Sequence, residues 1–173
     1  MGYEEIRDKN ALLTKYMNDC ATLMHILDSL NDLIINFTPD IEGAWSIKEH
    51  IGHLVDTEVN GYVRFHRAIL NPGTTIDLGG GDMERSNEKL DYAHRNYNDM
   101  ISLFRLIRKV IYEHAFRMKD DDFDKYYIEH ANHPVFRKCS LGFILSINTQ
   151  HFDKHMEFIK RNVALYAQST RAI

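Results

Sequence analysis

The 173-residue sequence predicts an all-α fold, a four-helix bundle, on three observations. Four long segments repeat their apolar residues at the 3.6-residue period of a helix. Only three prolines are available to interrupt those segments. No stretch alternates apolar and polar residues as a half-buried strand would, and there is no internal repeat or low-complexity tract. The expectation is one domain over residues 1–173, with helices near 6–35, 46–70, 86–115 and 140–165. A sheet of three or more strands would contradict it.

The first helix carries Leu13, Tyr16, Cys20, Leu23, Leu27, Leu30 and Ile34 on one face and ends before Thr38-Pro39-Asp40. The second opens at Ser46, with Glu49 three residues on as in a capping box. Its apolar arc holds Ile47, Ile51, Leu54, Val55, Val59, Tyr62 and Ile69, and Asn71-Pro72-Gly73 stops it. Glu58 falls inside that arc, which calls for a basic or hydroxyl partner within the bundle. Thr74 to Arg85 reads as a flexible connector. Its run Gly79-Gly80-Gly81 is short and lacks the Lys-Ser/Thr of a phosphate-binding loop.

A third helix is expected from Ser86 to about Ala115, with Leu90, Ala93, Tyr97, Ile101, Phe104, Ile107 and Ile111 on its face. Lys119 to Asp124 breaks the period, and Phe123 to Arg137 reads as loop or short irregular structure. The fourth helix begins at Ser140, an N-cap. Leu141, Ile144, Leu145, Phe152, Met156, Ile159 and Val163 fall on one side, opposite Asp153, Lys154, Glu157, Lys160 and Arg161.

Composition narrows the function. Apolar content of 44%, charged content of 27% and a formal charge of −4 describe an ordinary globular protein. With no Lys/Arg stripe, neither nucleic acid nor an anionic membrane is the expected partner. No apolar run approaches the roughly 18 residues of a spanning helix, and Met1 is followed by Gly-Tyr-Glu-Glu rather than a signal peptide. Cys20 and Cys139 lack metal-binding spacing and read as reduced thiols, so the expected location is cytoplasmic.

His151 and His155 are the most informative pair. One turn apart, both lie toward the edge of the apolar side of the last helix. Burying two imidazoles side by side demands partners for four ring nitrogens, and a divalent metal answers that demand. Carbonyls or carboxylates are the alternative. A catalytic site of this kind takes three protein ligands and leaves a position open. Among the candidates for the third, His53 lies opposite the centre of the second helix's apolar arc, on a face of small polar residues: Gly52, Asp56, Thr57, Asn60 and Gly61. Such residues leave room for a cleft, a ligand or another helix. Periodicity permits His53 without choosing it.

Trp45-Ser46-Ile47-Lys48, His53-Leu54-Val55-Asp56 and Asn60-Gly61-Tyr62-Val63-Arg64-Phe65 are followed by His130-x-x-His133-Pro134 and by His151-x-x-x-His155. In that order and spacing they resemble the DinB superfamily, in its YfiT-like branch, from Trp45 to about Asn162. The resemblance implies a four-helix bundle of the DinB type. It also implies a divalent metal, zinc or nickel, on one histidine of the second helix and two of the last. Those positions are His53, His151 and His155; His50, one turn from the family position, is the competing choice. The glycine run departs from the acidic, tryptophan-bearing connector associated with the branch.

An ion with an open position lowers the pKa of a water or a thiol. Members resembling this chain are linked to transfer of low-molecular-weight thiols onto electrophiles, or to metal-dependent hydrolysis. A small-molecule substrate follows, a thiol among the candidates, in a solvent-open cleft beside the three histidines. Asp56 and Asn60, on the same side as His53, are the candidate catalytic residues. Asp56 would orient a ligand histidine or accept a proton, and Arg64 would hold a substrate carboxylate. Trp45 reads as packing at the helix entry. The alternative is a non-catalytic stress protein that binds a metal or small molecule; a homodimer is compatible with either reading.

Overall fold

The structure, a computed structural model, describes residues 3–76, 87, 89–131 and 137–170. Four long helices build it: α1 (Lys9–Leu27), α3 (Ile47–Leu70), α4 (Tyr97–Arg117) and α6 (Leu141–Ser169), with short helices α2 (Asp32–Ile35) and α5 (Asp122–Lys125) between them. Helices α1 and α3 each pack against both α4 and α6, as in a four-helix bundle. None of the described helices is long and apolar enough to cross a membrane.

Each start has a local cause. The Asp8 side chain accepts the Ala11 N–H at 2.7 Å to open α1, Ser46 and Glu49 close a reciprocal capping box on α3, and Ser140 accepts the Phe143 N–H on α6. The expected first helix is broken in two. Asp28 ends α1, and Asn31 accepts the Ile34 N–H to cap α2. Ser86, the expected start of the third helix, lies outside the described residues, as do the three consecutive glycines and His133. Asp91 takes a left-handed φ of 51°, a 3-10 turn follows over Tyr92–His94, and α4 is capped at Asn96 by acceptance of the Asp99 N–H.

A three-stranded sheet is present, which corrects the expectation of none. Strand β2 (Tyr127–His130) pairs in parallel with β1 (Thr74–Ile76) and antiparallel with β3 (Lys138–Ser140), with Thr74 opposite Ile128 and Ile128 opposite Cys139. Strands of three or four residues are too short to show a period. The sheet occupies parts of two regions expected to be loops, and it covers one end of the bundle. There Ile128 and Cys139 join a core of Leu12, Leu13, Phe65, Ala68, Ile111, Ile144 and Leu145. A second core, around Leu23, Ile47, Ile51, Leu54, Val55, Phe104, Phe152 and Ile159, fills the other end.

The buried stripe of α3 also differs from its apolar arc. Val59 and Tyr62 are exposed, whereas Glu58 and Gly61 are buried. The stripe is set by contact with α4 and α6, and Glu58 earns its burial by meeting Arg108. The carboxylate takes the Arg108 Nε–H at 2.9 Å and the Tyr16 hydroxyl at 2.6 Å. Arg108 also donates to the Tyr16 carbonyl at 2.8 Å and stacks on Tyr16, Phe104 and Phe152. Asp19 completes the ionic cluster, 3.4 Å from the guanidinium. The sequence predicted a buried basic or hydroxyl partner for Glu58; it has both.

Candidate metal centre

Helices α3 and α6 run antiparallel, so two histidines in the first turns of α3 face two in the middle of α6. His53 Nε2 stands 2.9 Å from His151 Nε2, and His50 Nδ1 stands 2.9 Å from His155 Nδ1. His53, His151 and His155 each offer a ring nitrogen, and these three atoms lie within 4.8 Å of one another. Metal–nitrogen bonds of about 2.0–2.1 Å place the nitrogens of one ion roughly 2.9–3.4 Å apart, so the His53–His151 pair already has that separation.

Two glycines of α3 account for close approaches around the histidines. A Cβ at Gly52 would stand 2.7 Å from the Tyr92 ring, and one at Gly61 would collide with the Asn148 amide. The small residues around His53 therefore make room for a neighbouring ring and for α6. Trp45, at the entry to α3, lies 5.4 Å from the rings of both His50 and His53 and stacks on His155 at 6.2 Å. It packs at the helix entry and also forms one wall of the histidine group. Asn162 secures it from α6 by donating to the Trp45 carbonyl at 2.7 Å.

Outer contacts select which nitrogens face inward. His155 turns Nδ1 to His50, and His151 turns Nδ1 to the Tyr3 hydroxyl at 3.2 Å. That leaves Nε2 of each as the free ligand atom, the second-layer pattern that fixes a metal-binding tautomer. Tyr3 is held by its own segment: Glu4 N–H donates to Gln150 Oε1 at 3.0 Å and Ile6 N–H to Ser146 Oγ at 2.9 Å. Sequence reasoning missed Tyr3, because nothing in the first residues signals docking 148 positions away. It named His50 only as a competitor for the ligand role, whereas His50 contacts the far side of the His155 ring.

All four imidazoles are held neutral. Burial is the main cause at each, pushing His50 and His151 down to about 4 and His155 lower still. Neighbouring cations add to it, Arg161 at His50 and Lys154 and Arg64 at His151, and the His53 ring beside His151 acts in the same direction. His53 is lowered by burial too, with Asp56 opposing. No carboxylate belongs to the converging group of described residues. A set of neutral nitrogen donors suits a borderline divalent cation such as zinc or nickel, and the residues fit that role.

The remaining candidates are placed as follows. Asp56 accepts from Arg95 Nη1 at 3.1 Å and interacts with the Tyr92 hydroxyl, while Arg95 stacks over the Tyr92 ring at 4.8 Å. Asn60 is exposed. Arg64 is partly buried, and its Nε has no hydrogen-bond partner among the described residues. A cleft of about 180 Å³ adjoins the centre on its His50 and His155 side, with Trp45, Phe158 and Arg161 in its wall. Asp56 and Asn60 do not line this cleft, which lies on the His50 side of the centre rather than beside His53; the sequence could not show that Arg95 would take Asp56.

Comparison with known proteins agrees with this architecture. The family model described as DinB superfamily matches residues 20–159. No curated protein matches the chain. Among solved structures, YfiT from Bacillus subtilis, described as a probable metal-dependent hydrolase with an unusual four-helix bundle topology, superposes with a TM-score of 0.77. The alignment has 18% identity and covers 96% of this chain and 92% of that one. At that identity the likeness establishes the fold.

Proposed function

Because this chain belongs to the DinB superfamily, we propose that it is a divalent-metal-dependent enzyme using His53, His151 and His155 as ligands. The observation that carries this reading is their convergence: three neutral ring nitrogens within 4.8 Å, on two helices that meet closely where Gly61 faces Asn148. Zinc or nickel is the proposed ion. His53, His151 and His155 would hold it, and such an ion would supply Lewis acidity and lower the pKa of a water or thiol.

The chain's own residues do the rest. His50 accepts the His155 Nδ1 proton and Tyr3 the His151 Nδ1 proton, so both ligand rings present Nε2. Trp45 and Tyr92 pack edge-on against the His53 ring, at 5.4 and 6.3 Å, and restrict its orientation. Asp56, three residues beyond His53, holds negative charge beside that ring and is positioned by Arg95. The reaction we propose is transfer of a low-molecular-weight thiol to a small electrophile, or hydrolysis of a small substrate. The description of YfiT as a hydrolase supports the second form.

Metal analysis of protein purified without a histidine tag tests the ligand set, followed by turnover of a generic electrophile with several thiols and with water. We expect about one zinc or nickel per chain, and loss of metal and turnover together in His155→Ala. Turnover that survives in that variant without metal refutes the mechanism. Stoichiometric metal with no turnover across thiols and electrophiles favours a metal- or small-molecule-binding protein instead.

A further inference from the structure

The wall of the cleft beside the centre contains an unmet hydrogen-bonding demand. His50 is 4% exposed and forms part of the cleft wall, yet its Nε2 is buried with no hydrogen-bond partner among the described residues. A buried polar nitrogen without a partner costs free energy unless something else supplies one. Its protonation follows from its neighbour, given the metal reading above. If His155 gives Nε2 to the ion, its Nδ1 keeps the hydrogen and donates to His50 Nδ1, 2.9 Å away. A neutral His50 accepting at Nδ1 must carry its own hydrogen on Nε2. The orphan is therefore a donor that lacks an acceptor.

The surroundings define what could supply that acceptor. Ile41, Ala44, Trp45 and Phe158 give the cleft apolar walls, and Phe158 lies nearly parallel to the His50 ring at 5.3 Å. Arg161 and Glu42 also line it, so positive and negative charge are both present. A volume of about 180 Å³ is close to that of an engineered apolar cavity of about 150 Å³ that takes up benzene. We propose that this cleft is a subsite for a compact, ring-sized apolar compound bearing a carbonyl or carboxylate oxygen, which accepts the His50 Nε2 hydrogen. His50 would then have two roles: the same imidazole positions the ligand ring through one nitrogen and reads the small molecule through the other.

Trp45 is the only tryptophan of the chain and sits in the cleft wall, so its fluorescence reports occupancy directly. The test titrates benzamide, benzoate and toluene into zinc-loaded protein and into chelator-treated protein, with zinc affinity measured separately by calorimetry. We expect saturable quenching or enhancement by benzamide or benzoate at about millimolar concentration, and at least tenfold weaker binding of toluene. Preference for benzamide identifies a neutral carbonyl acceptor, and preference for benzoate an anionic one recruited by Arg161; either supports the subsite. His50→Phe keeps a ring but removes the donor, and should weaken the preferred probe about tenfold. Ala44→Leu, which fills the cleft without touching the histidines, should abolish binding and keeps the test decisive if the His50 variant fails to fold. No saturable response, or toluene binding as well as both oxygen-bearing probes, overturns the proposal. Zinc binding without probe binding defeats the subsite alone. Probe binding without zinc binding defeats the metal reading while leaving the cleft as a site.

Discussion

Two polar clusters are buried in this bundle, and they are built on opposite plans. In the first, Arg108 meets Glu58, Asp19 and the Tyr16 carbonyl, and Glu58 meets Tyr16. Cation faces anion, and the cluster ties α1, α3 and α4 into one core. In the second, His50, His53, His151 and His155 face one another with nitrogens only, and burial holds all of them neutral. Charge is balanced within the first cluster once Lys15, 3.0 Å from Asp19, is counted with Arg108 against the two carboxylates, whereas the second is a set of lone pairs with no cation among them. A polar group complete in itself serves the fold; one that converges and remains short of a cation points outward to chemistry.

The largest expected effect breaks the first cluster. Glu58→Ala leaves buried Arg108 with only the longer 3.4 Å contact to Asp19 and should cost about 3–5 kcal/mol in denaturant unfolding. The double variant Glu58→Leu with Arg108→Leu should recover most of that loss, because an internally balanced pair can be replaced by apolar packing. If the double variant stays as unstable as the single one, the cluster does more than hold helices together.

Next in size is the response of the second cluster to metal. Zinc at about one hundred times its dissociation constant should stabilise the wild type by about 2.7 kcal/mol, read as a rise in Tm. His53→Ala, His151→Ala and His155→Ala should each remove that gain, while Glu58→Ala should retain a zinc-induced rise from its lower starting point. A zinc response that persists in all three histidine variants places the ion elsewhere.

Acid should separate the clusters further. The unfolded chain takes up histidine protons near pH 6.5, but folded His50 and His151 do so only near 4, and His155 lower. The unfolded state therefore binds more protons across that window, and stability falls as pH drops from about 6.5 to 4. Each such proton contributes about 1.4 kcal/mol per pH unit. Arg161, Lys154 and Arg64 extend the fall to lower pH, and Glu49 and Asp56 oppose it. Denaturation of metal-free protein at several pH values measures the slope, which His50→Phe should reduce. A flat profile over that window would falsify the account of neutral, buried imidazoles. The smallest effect belongs to Asp56→Asn. Its half-exposed pair with Arg95 should contribute less than about 1 kcal/mol, so any larger change in turnover would mark a chemical role.

The two clusters were not equally legible in the sequence. Glu58 declared itself as an acid inside an apolar arc, and the helical period supplied the bundle. The partner of Glu58 could not be named, because Arg108 has no local mark that distinguishes it from a surface arginine. For the histidines, the i,i+4 spacing in α6 exposed one pair, while α3 offered two candidates one turn apart. Family resemblance pointed to His53; periodicity alone placed it away from the core. What decided its surroundings was Gly61 against Asn148 and Gly52 against Tyr92, contacts between residues 40 or more positions apart. The strands were illegible for a different reason. Segments such as Lys138-Cys139-Ser140 are shorter than any period that could betray them.

The contact at Gly61 has a mechanical consequence. Eight residues separate it from His53, a distance of about 12 Å along α3, and Asn148 precedes His151 by less than one turn. The helix pair thus works like tweezers pivoting where a single hydrogen atom stands in for a side chain. Widening that pivot by one methyl group would spread the jaws without altering any jaw residue. The separation of the His53 and His151 nitrogens, 2.9 Å, is thus tied to a glycine about two turns along α3 from His53.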